Sequence, residues 1–439
     1  MKLSSDDLLQ RLQSLTADDA VERWVVAFSG GIDSTVLLHA LATSGTSIPV
    51  LAVHVDHDLH ARSRDWAAHC KAVAASLDVD FRAVRVDAET DRGGGPEAAA
   101  REARYEAFLC IVEAGDCLLS GHHEDDQAET LLLNLLRGSG PAGLAGIGAA
   151  QQFGRGRLVR PMLGVAGPAI QEYARRHALE WIDDPTNVDT RFDRNYLRQE
   201  VIPRLAERWP AVSERLTRSA ALAAEAAELL GDLADIDLAA CGRPSRLDIA
   251  PIERLSPARQ RNLLRRAVRL CGLPPMPSTR LDQAVREVLP AREDAQPLVS
   301  WRGGELRRYR EKVFLLPPLP EPCAPPPGPL RPGATVTPGP ALGALTLCES
   351  SAGGIRPALA EAGLGIRFRA GGEEIRIDDQ TRKLKKLMQE AGVLPWMRDR
   401  IPLFYAGDEL VAVGDLWVSS AHHGVPGFRV SWSDRPVIR

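Results

Sequence analysis

The chain has 439 residues, 44% of them hydrophobic, 26% charged and 5% aromatic. At about 100 to 200 residues per domain that excludes a single small module, and the apolar content excludes a disordered chain. Against 58 acidic residues stand 54 basic ones, a net charge of -4, so no global basic field advertises a polyanionic partner. A polyanion would have to be met by local patches. The 48 arginines against six lysines suit that role, because guanidinium forks grip phosphates bidentately. The seven cysteines (Cys70, Cys110, Cys117, Cys241, Cys271, Cys323, Cys348) are odd in number and scattered, with no C-x-x-C pair. That fits neither a disulfide framework nor a zinc finger. Asp6 and Asp7 stand where a signal peptide would carry its apolar run, and no stretch approaches about 18 consecutive apolar residues. The expected location is the reducing cytoplasm, with no membrane contact and no obligate protein partner evident.

In chain order, Trp24 to Phe28 is a short apolar run ending in Ser29-Gly30-Gly31, followed by an apolar stretch, Val36 to Ala42, at helical length. This spacing predicts strand, tight loop, helix. The unit recurs: strands at Val50 to Val55, Phe81 to Val86 and Cys117 to Ser120, and helices at Ser63 to Leu77 and Pro96 to Ala114. Alternation of this kind predicts an α/β fold, a doubly wound parallel sheet binding ligands at the carboxyl ends of its strands. From about Glu214 to Leu289 the pattern turns helical. Residues 317–340 hold 11 prolines, which predicts an extended connector. Beyond it, Gly365 to Ala370 and Leu403 to Val413 read as strands flanking a basic helix, Arg382 to Ala391, in a small α+β C-terminal domain.

Ser29-Gly30-Gly31-Ile32-Asp33-Ser34, between strand and helix, reads as a phosphate nest: glycines permit close backbone approach, and the helix N-terminus favours anions. It is not a Walker A loop, since no G-K-[ST] follows. Ser29 and Ser34 can donate hydroxyls to phosphate oxygens, whereas Asp33 can face a phosphate only through a divalent cation, which points to Mg2+. The competing reading is a plain glycine turn with a capping side chain.

The run from Gly121 to Gly138 places Asp126, Glu129, Thr130 and Arg137 on one helix face, with Ala128, Leu131, Leu132 and Leu135 opposite. An acidic first turn that only complements the helix dipole is the alternative. A zinc deaminase is excluded, because no P-C-x-x-C follows His122-x-Glu124. Farther on, Arg191, Arg194 and Arg198 would share a helical side as a phosphate-gripping stripe, or pair with Asp189 and Asp193 as a solvated face. Residues 382–400 carry six basic and two acidic side chains, a local excess of +4. Lys383, Lys385, Lys386, Arg398 and Arg400 are candidates to grip RNA phosphates, with a solvated helical face as the alternative. Trp396 could stack a base, though a core position beside Pro395 is the commoner fate.

The loop from Ser29 to Ser34 resembles the PP-loop of the N-type ATP pyrophosphatases, which split ATP into AMP and pyrophosphate while adenylating a substrate. His122 to Gly138, the Ala100-Arg101-Glu102-Ala103-Arg104-Tyr105 run, Arg194-Asn195, and the tail segments Lys383 to Gly392 and Pro395 to Leu403 are similar to the tRNA(Ile)-lysidine synthetase family. The likeness spans nearly the whole chain. It departs at Asp58 and His60, where the family commonly has Gly and then a basic residue, so Asp56 to His60 carry no assigned role.

The resemblance implies a PP-loop catalytic domain over 1–213, a mainly helical substrate- or tRNA-binding domain over 214–316, a linker over 317–340 and a tRNA-binding domain over 341–439. It implies a ligase with ATP as substrate that joins the ε-amine of free L-lysine to C2 of the wobble cytidine in the CAU anticodon of tRNA(Ile), through an adenylated tRNA. Ser29, Gly30, Gly31, Ile32, Asp33 and Ser34 would bind ATP, with Asp33 holding the metal. Asp126 and Glu129 would handle metal, lysine ammonium or both, His122 would assist proton transfer or positioning, and Arg101, Arg104, Arg191, Arg194 and Arg198 join the candidate tRNA contacts. Sister readings remain. A tRNA thiolase would want paired redox cysteines where Cys110 and Cys117 are seven apart, an amidotransferase would want an N-terminal Cys where Lys2 follows Met1, and a non-catalytic tRNA binder would not need the intact loop and acidic face.

Overall fold

The computed structural model describes residues 3–17, 19–56, 63–86, 96–184, 188–292, 295–320, 328–378 and 380–439. They form two compact units, Met1–Leu230 and Gly231–Arg439. Of the segment from Asp56 to His60, residues 57–60 lie outside the described residues, as does 321–327 of the proline-rich stretch.

In the first unit, α1 (Ser5–Leu15) starts where the Ser4 hydroxyl accepts the Asp7 N–H, and it buries Leu8 and Leu12. β1 (Arg23–Ala27) buries three consecutive side chains, Trp24, Val25 and Val26, as a central parallel strand covered on both faces must. α2 (Ile32–Ala42) is apolar nearly all round and correspondingly buried. Then follow β2 (Val50–Asp56), α3 (Ser63–Ser76), β3 (Asp80–Arg85), α4 (Pro96–Leu109), β4 (Asp116–Leu119), α5 (Glu124–Leu136), α6 (Pro141–Leu144), the hairpin β5 (Ala150–Phe153) and β6 (Gly156–Val159), and α7 (Gly167–Arg176). The sheet order is β3-β2-β1-β4-β6-β5, parallel except for β5, so the α/β parallel fold expected above is present. Strand order reverses between β1 and β4. Their carboxyl ends therefore border the crevice where such sheets hold ligands, and the two motif loops, 28–31 and 120–123, leave the sheet there.

Past α7 come α8 (Asp193–Tyr196), a π-helical turn at Leu197–Val201, α9 (Ile202–Arg208) and the 30-residue α10 (Val212–Cys241). In the second unit, helices including α11 (Ile249–Glu253) and α12 (Pro257–Leu270) accompany a five-stranded antiparallel sheet, which the helical periodicity did not announce. Its strands are short and split by the helices: Gly242–Arg243 and Arg246–Asp248 precede them, while Leu298–Trp301, Gly304–Tyr309 and Lys312–Leu316 follow. The C-terminal region is built of antiparallel sheets around a core that includes Phe404, Leu384 and Met388.

Four local expectations need correction. The helix expected over Pro96 to Ala114 ends at Leu109, and a turn leads through Gly115 at φ +84° into β4. Arg382 to Ala391 is not one helix: Gln380–Lys383 pairs as a strand with Glu374–Ile377, and only Leu384–Glu390 is helical. Leu403 to Val413 is a hairpin, Leu403–Ala406 and Glu409–Val413, turning at Gly407 with φ +61°. Gly365 to Ala370 is a strand only as far as Arg367. In each case a turn or an inter-strand pairing overrides a local apolar or basic run.

Candidate active site

The loop after β1 is bound to itself by its own hydroxyls. Ser34 Oγ donates to the Gly31 carbonyl (3.0 Å), accepts from the Gly30 N–H (3.2 Å) and lies 3.1 Å from Ser29 Oγ. Gly31 caps α2, and among the described residues no side chain occupies that cap, so the first N–H groups of the helix point at the crevice. Gly30 has φ +87°, and a Cβ there would lie 2.6 Å from Ile182 Cδ1 and 2.8 Å from Cys70 Sγ. Glycine is required for both reasons.

Opposite, α5 is capped by His123. Its Nδ1 accepts the Asp125 N–H (3.3 Å), while its own N–H donates to Asp126 Oδ2 (2.9 Å). Its Nε2 is 3.6 Å from both Asp33 Oδ1 and Asp126 Oδ2. One imidazole thus joins the two motifs. Gly121 lets them meet, since a Cβ there would come within 3.1 Å of the Asp33 backbone. Burial, aided by repulsion from Asp126, pushes the Asp33 carboxyl above its ordinary value, although facing His123 draws it back. For Asp126 burial acts in the same direction, but His123, His122, the His123 N–H and Arg198 outweigh it, and its pKa falls below the ordinary carboxylate value.

Glu129, one turn along α5, is fully buried beneath two arginines. Arg198 Nε reaches Oε1 at 2.6 Å and its Nη2 reaches Oε2 at 3.1 Å, while Arg194 Nε lies 3.1 Å from Oε2 and its Nη2 donates to Thr130 Oγ1 at 2.9 Å. Arg198 Nη2 also lies 3.3 Å from Asp126 Oδ1. The three-arginine stripe does not form. Arg191 precedes α8 and folds back on Asp189, and the other two turn inward because the buried carboxylate demands a partner. The apolar back of α5 is likewise shorter than expected: Ala128 and Leu131 are buried, but Leu135 is 56% exposed.

His122 lies 2.9 Å from Ser120 Oγ through Nδ1. Burial pushes its pKa down to about 4; Asp126 opposes that shift, while Arg160, Arg194 and Arg101 reinforce it. It is neutral at pH 7 and a weak base as it stands. Because the folded value lies below the ordinary 6.5, the folded state binds fewer protons than the unfolded chain. The associated stability is complete above about pH 6.5 and is lost as pH falls toward 4. Replacing His122 by Asn is expected to recover about 2 kcal/mol of what the parent loses between pH 7 and 5, measured by urea midpoints.

Arg101 lies on α4 with its guanidinium 5.5 Å from the Tyr105 ring centre, and Arg104 is exposed on the same helix. In the second unit Lys383, Lys385 and Lys386 are exposed, Lys386 by 77% in its side chain. Arg398 and Arg400 are committed internally. Arg398 donates to the Val393 carbonyl and to Tyr309 Oη, and Arg400 to the Pro320 and Trp396 carbonyls, so they brace the fold. Trp396 is a core residue beside Phe314.

Sequence reasoning passed over His123, Arg160 and Gln127. His is not a preferred cap type, so only its place before Glu-Asp-Asp and an apolar run could have signalled it. Arg160, buried just past β6, donates to the Gly148 carbonyl at 2.6 Å. Gln127 holds the same loop, accepting the Ile147 N–H at 2.6 Å. Arg160 stands in no motif, and Gln127 lies in the His122 to Gly138 run without a role having been assigned to it. Among the described residues, Cys70, Cys110, Cys117, Cys241, Cys271 and Cys348 are free, and burial pushes the Cys117 thiol up to about 12, which leaves it unsuited to redox chemistry with Cys110. No helix among the described residues is long and apolar enough to cross a membrane.

Fold and site together define an ATP-using PP-loop enzyme, and residues 5–205 match the PP-loop domain family. Residues 247–314 match the TilS substrate binding domain and 364–432 the TilS substrate C-terminal domain. The chain is 44% identical over 414 residues to the tRNA(Ile)-lysidine synthase of Alkalilimnicola ehrlichii, covering 93% of this chain and 92% of that one. It is 43% identical to that of Pseudomonas aeruginosa, covering 96% of each. The chain belongs to the tRNA(Ile)-lysidine synthase family.

Proposed function

We propose that both steps of lysidine formation take place between the loop of Ser29 to Ser34 and the acidic face of α5, with free L-lysine as the amine donor, Mg2+ accompanying ATP, and a cytoplasmic setting. The observation that carries this is the single imidazole of His123, 3.6 Å from carboxylates of both motifs at the point where strand order reverses.

In the first step the C2 oxygen of the wobble cytidine attacks the α-phosphorus of ATP and pyrophosphate leaves. Ser29, Ser34 and the amides opening α2 would hold the polyphosphate. Magnesium fits the residues present: Asp33 is a hard oxygen donor with a 41% exposed side chain, whose charge a cation would relieve of repulsion from Asp126. Among the described residues no set of three or more His, Cys, Asp or Glu forms a cage, which suits an ion that takes one or two carboxylates and fills its shell with phosphate and water. When bound it would neutralise charge on the departing pyrophosphate.

In the second step the lysine amine attacks C2 and AMP leaves. The amine must be neutral, and its ordinary pKa is about 10.4, so a carboxylate has to orient it and move its proton. Asp126 and Glu129 would take that ammonium. His122 could receive the proton once the polyphosphate offsets the surrounding arginines. Asp126→Asn or Glu129→Gln is expected to raise the lysine KM about tenfold or more while adenylate formation without lysine continues, read by pyrophosphate release with each substrate omitted in turn. Mass spectrometry of the product nucleoside tests the whole reading; unmodified cytidine from an active preparation would end it.

For tRNA, Lys383, Lys385 and Lys386 would grip phosphates, with Arg101 and Arg104 as further contacts in the first unit. K385E with K386E is expected to weaken tRNA binding about tenfold and to lower its salt slope by about two, with ATP binding intact. Equal losses of both ligands would mean misfolding instead.

A further inference from the structure

Glu129 has no free oxygen for a substrate: Oε1 is taken by Arg198, Oε2 by Arg198 and Arg194, and the side chain has no exposed surface. A lysine ammonium cannot reach it until a guanidinium moves. The two arginines differ in how they are held. Arg194 is the less exposed; its Nε makes an ion-pair contact with Oε2 but no hydrogen bond, and its Nη2 donates to Thr130 Oγ1. Arg198 bridges Glu129 and Asp126, the pair of acceptors a three-proton ammonium would want, while 41% of its side chain still faces solvent. It also stands in the π-helical turn Leu197–Val201, a form that recurs at functional sites.

We propose that Arg198 is a placeholder cation: it occupies the ammonium subsite on Glu129 and Asp126 in the free enzyme and gives it up when phosphates enter the crevice. This rests on the reading of Asp126 and Glu129 as the lysine site. Three carboxylates, Asp33, Asp126 and Glu129, face two guanidiniums here. A polyphosphate offers Arg198 a bidentate partner of higher charge, and the incoming ammonium then replaces the positive charge that left. Lysine would thus gain full access only once nucleotide or tRNA phosphate is in place, which orders amine attack after adenylation. Arg198 is a positioning residue that acts through Glu129.

The test measures L-lysine binding by calorimetry to the full chain and to its R198M and R198K variants, without nucleotide, together with the steady-state lysine KM. R198M is expected to bind lysine about five- to tenfold more tightly than the parent, and R198K about two- to threefold, since a point charge holds the pair less well than a fork. The steady-state lysine KM, read with ATP and tRNA present, moves less than the nucleotide-free affinity, because phosphate has by then drawn Arg198 off the pair. Unchanged or weaker lysine binding overturns the proposal, as does a raised tRNA KM with lysine unaffected, which would make Arg198 a phosphate grip. If R198M does not fold, R198K decides. Glu129→Gln separates the two readings: if it leaves lysine binding unchanged, the lysine site lies elsewhere. If it weakens lysine binding while R198M fails to tighten it, the placeholder alone falls.

Discussion

Asp33→Asn should lower the rate of pyrophosphate release with tRNA present and lysine omitted by about a thousandfold, while the protein melts at the parent temperature or slightly above it. The activity loss follows from removing the one carboxylate on the phosphate loop, which leaves charge on the departing pyrophosphate without its counter-ion; losses of this kind are worth about 3 to 4 kcal/mol. The stability gain follows from the opposite sign of the same charge. Burial and Asp126 already push the Asp33 carboxyl toward its neutral form, and Asn supplies that form in nearly the same shape. Activity within tenfold of the parent would remove Asp33 from metal and phosphate handling. A large drop in melting temperature would show that the charge serves the fold.

Gly30→Ala should abolish nucleotide binding, with at least a hundredfold loss of ATP affinity, and destabilise the first unit by about 2 to 5 kcal/mol. Two costs add. A side chain at φ +87° is worth roughly 1 to 2 kcal/mol against L-residues, and the new methyl would overlap Ile182 and Cys70, an overpacking cost of about 1 to 3 kcal/mol. Either the loop lifts, which misaims its amides, or Ile182 moves, which strains the bond from its N–H to the Gly30 carbonyl at 2.9 Å. Calorimetry with magnesium nucleotide and a thermal melt measure the two parts. Cys70→Ala in the same chain is expected to recover part of the stability by removing one of the two collisions. An unchanged ATP affinity in Gly30→Ala would show that the loop backbone does not touch the nucleotide.

Local chemistry wrote the phosphate loop plainly. Ser29 to Ser34 needs only its own glycines, hydroxyls and the start of α2, all within six residues, so the sequence could be read directly. The strands β1, β2 and β4 were legible too, because a central parallel strand must be apolar on both faces and so forms an unbroken run. The hairpin of β5 and β6 was not, since Gln151 and Gln152 are exposed edge residues and carry no apolar signal. Nor was the second unit's antiparallel sheet, whose short strands depend on partners chosen by pairing.

By itself, then, the sequence determined which residues carry charge and where the backbone can bend: the nest, the acid face of α5, and the family to which those motifs belong. Only the tertiary structure decided who pairs with whom. It set His123 between Asp33 and Asp126, turned Arg194 and Arg198 onto Glu129, and committed Arg398 and Arg400 to backbone carbonyls. The reason is physical: a loop conformation is fixed by neighbours along the chain, whereas a buried charge takes whatever partner the packed fold brings within hydrogen-bonding distance, and Arg198 and Glu129 are 69 residues apart in sequence.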